Sequence, residues 1–171
     1  KKGGIAVDFT MGNGHDTEYL CRAVYGGEDL PGHVYAFDVQ RQALESTEKL
    51  LTETGCPQNY TLILDSHENA SKYIKKNFCA GVFNLGWLPG SDKTVTTKRE
   101  STRKAIDTAV RLIDKDGILL IAVYPGHEEG RLEGEMITNM LSRISRFELS
   151  VSRFQIINSP SSPYFFIAER K

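Results

Sequence analysis

The chain has 171 residues, enough for one domain with a real core, and its hydrophobic share of 40% and charged share of 25% are those of a soluble globular protein. A formal net charge of −1 excludes an overall polybasic field, so contact with nucleic acid has to come from a local patch. There is no signal peptide, no apolar run of membrane-spanning length and no Cys-x-x-Cys pair among Cys21, Cys56 and Cys79, which predicts a reduced, cytoplasmic setting without membrane insertion.

Short apolar strands and helical patterns alternate along the chain. Strands are predicted over 4–8, 33–38, 60–64, 80–85 and 117–123, and helices over 15–25, 40–54, 68–77 and 97–114. This alternation predicts a Rossmann-like α/β fold, a mostly parallel sheet with helices on both faces. Thr97-Lys98-Arg99-Glu100 reads as a capping box opening the helix over 97–114, whose apolar face is Ile106, Ala109, Val110 and Ile113. Past Val123 the order changes. A helix over 130–145 is followed by strands over 147–157 and 164–169 around the Pro- and Ser-rich stretch 158–163, which predicts a C-terminal antiparallel hairpin and seven strands in all. No repeat or linker divides the chain, so 1–171 is expected to be one domain. It begins only a few residues before its first strand, and an N-terminal element is expected to be missing.

The stretch from Val7 to Thr17 is a strand end, a tight turn and a helix start in one. Gly12 and Gly14 allow positive φ and a close backbone approach to a ligand, and the helix behind them presents unpaired N–H groups. A dinucleotide fingerprint needs a third small residue where Thr17 stands, and Asp8 would repel a pyrophosphate. A carboxylate there suits a ligand with a cationic amino group, such as the methionine part of S-adenosyl-L-methionine.

In an open α/β sheet, ligands bind beyond the carboxyl ends of the strands. Those ends carry Asp8, Asp38, Asp65 and Asn84. Asp38, 24 positions after Gly14, is assigned to the ribose hydroxyls rather than to capping the next helix. Asp65-Ser66-His67 either meets the edge and amine of an adenine or caps a helix. The cofactor cradle is thus assigned to Asp8, Thr10, Met11, Gly12, Asn13, Gly14, Asp16 and Thr17, then Asp38 and Gln40, then Asp65, Ser66 and His67, then Asn84 and Gly86.

Asn84-Leu85-Gly86-Trp87-Leu88-Pro89 resembles the position where amine-directed methyltransferases carry an Asn/Asp-Pro-Pro-aromatic motif. Such chemistry needs an acceptor to orient an amine lone pair, which Asn84 Oδ1 or a nearby carbonyl supplies. Trp87 is either a stacking platform for a base or a core residue. The basic run with Lys93, Lys98, Arg99, Arg103 and Lys104 is either an RNA-facing patch or a solvated face; Lys93, Arg99 and Arg103 are taken as substrate-binding. His127, on a glycine-flanked loop after the fifth strand, is either a proton acceptor or a surface residue. The four histidines show no metal-ligand spacing, and no metal is expected.

Together, Asp8-x-Thr10-Met11-Gly12-Asn13-Gly14-His15-Asp16-Thr17, Asn84-Leu85-Gly86-Trp87-Leu88-Pro89-Gly90-x-Asp92-Lys93 and Tyr124-Pro125-Gly126-His127 resemble the YtqB-like rRNA methylase family over essentially the whole chain. The resemblance implies a class I S-adenosylmethionine-dependent methyltransferase. It further implies an MnmM-type activity, methylation of the amine of 5-aminomethyl-2-thiouridine at the tRNA wobble position. It puts Asp8, Gly12, Asn13, Gly14 and Asp16 on the methionine side, Asp38 on the ribose, and Asn84, Trp87, Asp92 and His127 toward the substrate, with Asn84, Asp92 and His127 as catalytic candidates. Family members usually carry a helix before the first strand, which is the element expected to be missing here; Tyr is usual at position 87, Gly is expected at Ser91, and Glu128-Glu129 follow the histidine here. The alternatives are an rRNA or small-molecule amine methyltransferase, or a non-catalytic RNA-binding protein of the same fold. An RNA partner, with the tRNA anticodon loop foremost, and a homodimer are the expected associations.

Overall fold

The computed structural model describes residues 1–86, 97–159 and 161–171. Its sheet has seven strands: β1 (Ile5–Asp8), β2 (His33–Asp38), β3 (Tyr60–Leu64), β4 (Phe78–Asn84), β5 (Ile113–Val123), β6 (Leu149–Phe154) and β7 (Tyr164–Arg170). The spatial order is β3-β2-β1-β4-β5-β7-β6. The first five strands are parallel, and β7 runs antiparallel to both β5 and β6, as the Pro/Ser turn predicts. Strand order reverses between β1 and β4, so the polar strand ends gather at that crevice.

Helices α1 (His15–Val24) and α2 (Arg41–Glu53) pack on the β1–β3 half, around Ala6, Leu20, Val24, Val34 and Leu51. On the opposite face α3 (Ala70–Tyr73), α4 (Arg99–Leu112) and α5 (Glu128–Leu141) close a larger core around Phe9, Phe37, Phe78, Phe83 and Leu119. Phe9 stacks on Phe83 at 4.1 Å between centroids. One face of the β5-β7-β6 end keeps Ile118, Leu120, Phe165 and Phe154 exposed, so helices cover both faces only over the rest of the sheet.

Three local expectations change. The helix predicted over 68–77 is a 3-10 turn, His67–Asn69, followed by the single turn of α3; at Ile74 the backbone turns extended, and that side chain is buried in the core instead. β5 starts earlier than 117 because Ile113 already pairs with Phe78, and the pairing shifts before it resumes at Ile118. Asp116 adopts a positive φ of 61° within this irregularity, a conformation that Asp tolerates better than most residues. The N-cap of α4 is Lys98 without a side-chain cap bond, because the Thr97 hydroxyl is engaged elsewhere.

Candidate functional site

The turn after β1 is clamped from below. Asp8 is fully buried; its Oδ1 accepts the Thr10 N–H at 3.1 Å and its Oδ2 accepts the Thr17 hydroxyl at 2.7 Å. Burial pushes its carboxyl up to about 7, against the pull of these two bonds. Gly12 and Gly14 have φ of 53° and 88°. A Cβ on Gly14 would stand 2.8 Å from the Thr47 hydroxyl and 2.9 Å from its Cα, so α2 packs directly on the bare backbone. The Thr47 hydroxyl donates to Gly12 O at 3.1 Å.

Asp38 closes the turn from the side. Its Oδ2 accepts the Gly12 N–H at 3.1 Å and its Oδ1 the Gln40 N–H at 2.9 Å, leaving a lone pair on each oxygen. The cap of α2 is Gln40, so Asp38 does not cap that helix. After β3, Asp65 Oδ1 accepts Ser66 N–H at 2.7 Å and Asn69 Nδ2 at 2.8 Å, and Oδ2 accepts the Tyr73 hydroxyl at 2.9 Å. The Asn69 bond leads in holding this carboxyl below its usual range. Ser66 caps the 3-10 turn, so the capping alternative for this stretch is realised while all three residues face the same cleft. His67 is buried and its Nδ1 donates to the Phe9 carbonyl at 3.1 Å, which leaves Nε2 as the acceptor of a neutral ring. Burial lowers its pKa and keeps it neutral.

The rim is built by β4. The Asn84 N–H donates to the Thr10 hydroxyl at 2.6 Å, and its Nδ2 donates to Asp16 Oδ2 at 2.6 Å. A carboxylate only accepts, so Asp16 fixes which way the amide points and leaves Oδ1 as a free-standing acceptor. Beyond it, Gly86 (φ 137°) and Thr97 exchange hydrogen bonds of 3.0 Å in each direction. These parts surround a cleft of about 1060 Å³ at the carboxyl ends of β1 to β4. A smaller cavity of about 430 Å³ lies between α4 and α5, away from the strand ends. Among the described residues, no group of three acidic, His or Cys side chains is placed to hold a metal, and no helix is long and apolar enough to cross a membrane.

The family described as "Putative rRNA methylase" matches residues 34–170. A Clostridium thermocellum structure described in the same words is 35% identical, with a TM-score of 0.94 over 100% of this chain and 90% of that one. The chain belongs to the rRNA methylase family. A "putative methyltransferase" of Streptococcus mutans, solved "in complex with SAH", is 34% identical with a TM-score of 0.88, again over 100% and 90% of the two chains. A curated Arabidopsis thaliana relative, "tRNA (mnm(5)s(2)U34)-methyltransferase, chloroplastic", is 32% identical over 95% of this chain, which spans 62% of that protein's length. The fold is the class I methyltransferase fold expected from the sequence.

Within this family fold the cleft brings together Thr10, Met11, Gly12, Asn13, Gly14, Asp16, Asp38, Gln40, Asp65, Ser66, His67, Asn84 and Gly86. Asp8 and Thr17 lie fully buried beneath the turn and outside the cleft lining, so Asp8 supports the cradle and does not face a ligand's amino group. Arg99 is ion-paired with Glu129 at 3.0 Å and Lys104 with Glu68 at 3.1 Å, which neutralises much of the basic run. Arg99 and the exposed Arg103 are both outside the lining. His127 is also outside it: the ring is the N-cap of α5, its Nδ1 accepting the Gly130 N–H at 3.1 Å. Trp87, Asp92 and Lys93 lie outside the described residues. The sequence reading missed Tyr124, Ser101 and the cleft position of Lys98. Tyr124, directly after the strand end at Val123, carried the same positional signal as Asp38 and Asn84.

Proposed function

We propose that this protein is an S-adenosylmethionine-dependent RNA methyltransferase that methylates the nitrogen of the 5-aminomethyl group of (2-thio)uridine at the tRNA wobble position. The carrying observation is the Asn84 amide, locked by Asp16 so that an uncommitted Oδ1 stands in the cleft. The cleft suits the cofactor. Asp38 has two unused lone pairs for a ribose diol, and Gly12–Gly14 and the start of α1 offer close-approach backbone and helix N–H groups to a carboxylate. Ser66 and the neutral His67 ring have a donor and acceptors for an adenine edge.

When bound, S-adenosylmethionine supplies a methyl group on a positively charged sulfur that is already a strong electrophile. The protein's task is therefore to place and orient the acceptor. Asn84 Oδ1 accepts an N–H of the incoming amine and turns its lone pair inward. The amine must arrive neutral, because a protonated amine has no lone pair to give. Tyr124, 42% exposed at the mouth, offers a face to the uridine ring, and the exposed Lys98 beside it offers a charge to a phosphate. The names of the Arabidopsis and Clostridium relatives support an RNA substrate over a small amine.

The test is methyl transfer from labelled S-adenosylmethionine to tRNA that carries 5-aminomethyl-2-thiouridine, with rRNA and a free amine alongside. The expected product is the 5-methylaminomethyl nucleoside after digestion, with KM for tRNA rising steeply with salt. Label in rRNA alone, or in the free amine with no salt dependence, contradicts the proposal.

A further inference from the structure

Among the described residues the cleft is lined by four acids, Asp16, Asp38, Asp65 and Glu68. Both oxygens of Asp38 and of Asp65 already accept protein donors, and Glu68 is ion-paired with Lys104 at 3.1 Å. Asp16 differs. It is exposed in the first turn of α1, and its Oδ2 accepts Asn84 Nδ2 at 2.6 Å. Among the described residues its Oδ1 accepts no hydrogen bond and no Lys or Arg pairs with it. The carboxylate at this corner of the cleft is therefore left to meet a ligand that donates or carries positive charge.

The acceptor side of the cleft is also where charge arrives. A primary amine is ammonium at neutral pH and gives up one proton to water before it can react. Its lone pair then forms the N–C bond to the methyl group as the C–S bond breaks, and that electron pair goes to sulfur. Positive charge thus leaves sulfur and appears on nitrogen, which keeps its two protons. Asn84 Oδ1 takes one of them in the orientation that Asp16 imposes. One hydrogen bond joins Asp16 to Asn84, so an amine held by Asn84 Oδ1 lies within about 4–6 Å of the Asp16 carboxylate, where an opposite charge strongly favours the charged form. A carboxylate already in place where charge develops lowers the barrier with no reorganisation at the moment of reaction.

We propose that Asp16 is a catalytic residue of the acceptor site: its Oδ1 takes the second N–H of the substrate amine, and its charge stabilises the ammonium that methyl transfer creates. The inference rests on the reading that the acceptor is an amine. The same carboxylate draws the ammonium form of the substrate out of solution, so it selects a cationic acceptor over a neutral one of the same shape. Its hydrogen bond to Asn84 and its charge are separable, because an amide in its place can still accept from Asn84 Nδ2.

The test uses the full chain with Asp16→Asn, which keeps an acceptor for Asn84 and removes the charge, and Asp16→Ala, which removes both. Three quantities are measured: S-adenosylhomocysteine affinity by calorimetry, kcat for tRNA, and the affinity of the S-adenosylhomocysteine complex for two anticodon stem-loops. One stem-loop carries 5-aminomethyl-2-thiouridine; the other carries 5-ethyl-2-thiouridine, which has the same shape without the charge. Wild type is expected to prefer the aminomethyl stem-loop about ten-fold, and Asp16→Asn to bind both alike. In Asp16→Asn kcat is expected to fall about a hundred-fold, with S-adenosylhomocysteine affinity within about three-fold of wild type, and Asp16→Ala to lose at least as much. Wild-type kcat in Asp16→Asn, or a stem-loop preference that Asp16→Asn keeps, overturns the proposal. A loss of S-adenosylhomocysteine affinity as large as the loss of kcat also overturns it, by placing Asp16 on the cofactor's own ammonium. If wild type methylates no tRNA, the substrate reading fails instead. The nucleosides 5-aminomethyluridine and 5-ethyluridine then decide the role of the charge: no preference in wild type, or one that Asp16→Asn keeps, overturns it.

Discussion

On the turn side of the cleft, between β1 and β2, carboxylates at strand ends hold the turn: Asp8 takes the Thr10 N–H and the Thr17 hydroxyl, and Asp38 takes the Gly12 and Gln40 N–H groups. On the rim, between β4 and β5, side chains carry the links: Asn84 Nδ2 to Asp16, and the Gly86 N–H through the Thr97 hydroxyl to Glu133. The turn side is a rigid cradle with little tolerance, because α2 presses on Gly14. The rim is a set of polar links that can be cut singly without opening the core. This difference predicts that damage to the turn abolishes binding or folding, whereas damage to the rim separates binding from turnover.

The largest effect belongs to Gly14→Val. Positive φ and the contact with Thr47 both oppose a side chain, so a loss of about 2–4 kcal/mol in unfolding free energy is expected, read as a fall in the denaturant midpoint. A wild-type midpoint would show that the cradle is softer than the geometry says. Next comes Asp38→Ala, which removes the acceptor of two backbone N–H groups and the proposed ribose site. Calorimetry should record cofactor affinity weaker by about ten- to a hundred-fold. Asn84→Ala should instead lower kcat by about ten- to a hundred-fold while cofactor affinity moves by less than about three-fold. Equal losses in both would erase the distinction between turn and rim.

Asp8 gives a pH test. Its carboxyl is raised from 3.8 in the unfolded chain to about 7 in the fold, so the folded state holds its proton more tightly. Stability from this group is fully present below about pH 4 and is lost as pH rises through 7, at about 1.4 kcal/mol per pH unit within that window. Asp8→Asn should flatten that part of the stability profile, and an unchanged slope would contradict the assignment. The smallest effect is expected from Arg99→Ala, whose exposed pair with Glu129 contributes about 0–1 kcal/mol; KM for tRNA should barely change. A large rise would return Arg99 to the substrate surface.

The same contrast explains what could be read in the sequence. Strand ends, the glycine turn, Asp38 and the C-terminal hairpin announce themselves through local pattern, because apolar runs, turn residues and short-range spacing dictate them. The importance of Asp8 is legible from its place at a strand end before the glycine turn, but the burial of its side chain beneath that turn is not. The capping-box reading of Thr97 failed for a longer-range reason: a buried carboxylate 36 residues later competes for its hydroxyl. Nothing near Glu133 marks it as different from the surface acids Glu128, Glu129 and Glu135. His127 reads in the sequence as a loop residue, but the helix begins two residues earlier than expected and takes its ring as a cap.

The most direct test of the account is calorimetric titration of S-adenosylmethionine into wild type, Asp38→Ala and Asn84→Ala. One site per chain is expected, with binding severely weakened by Asp38→Ala and nearly preserved by Asn84→Ala. No binding to wild type, or binding that Asp38→Ala leaves intact, would contradict it.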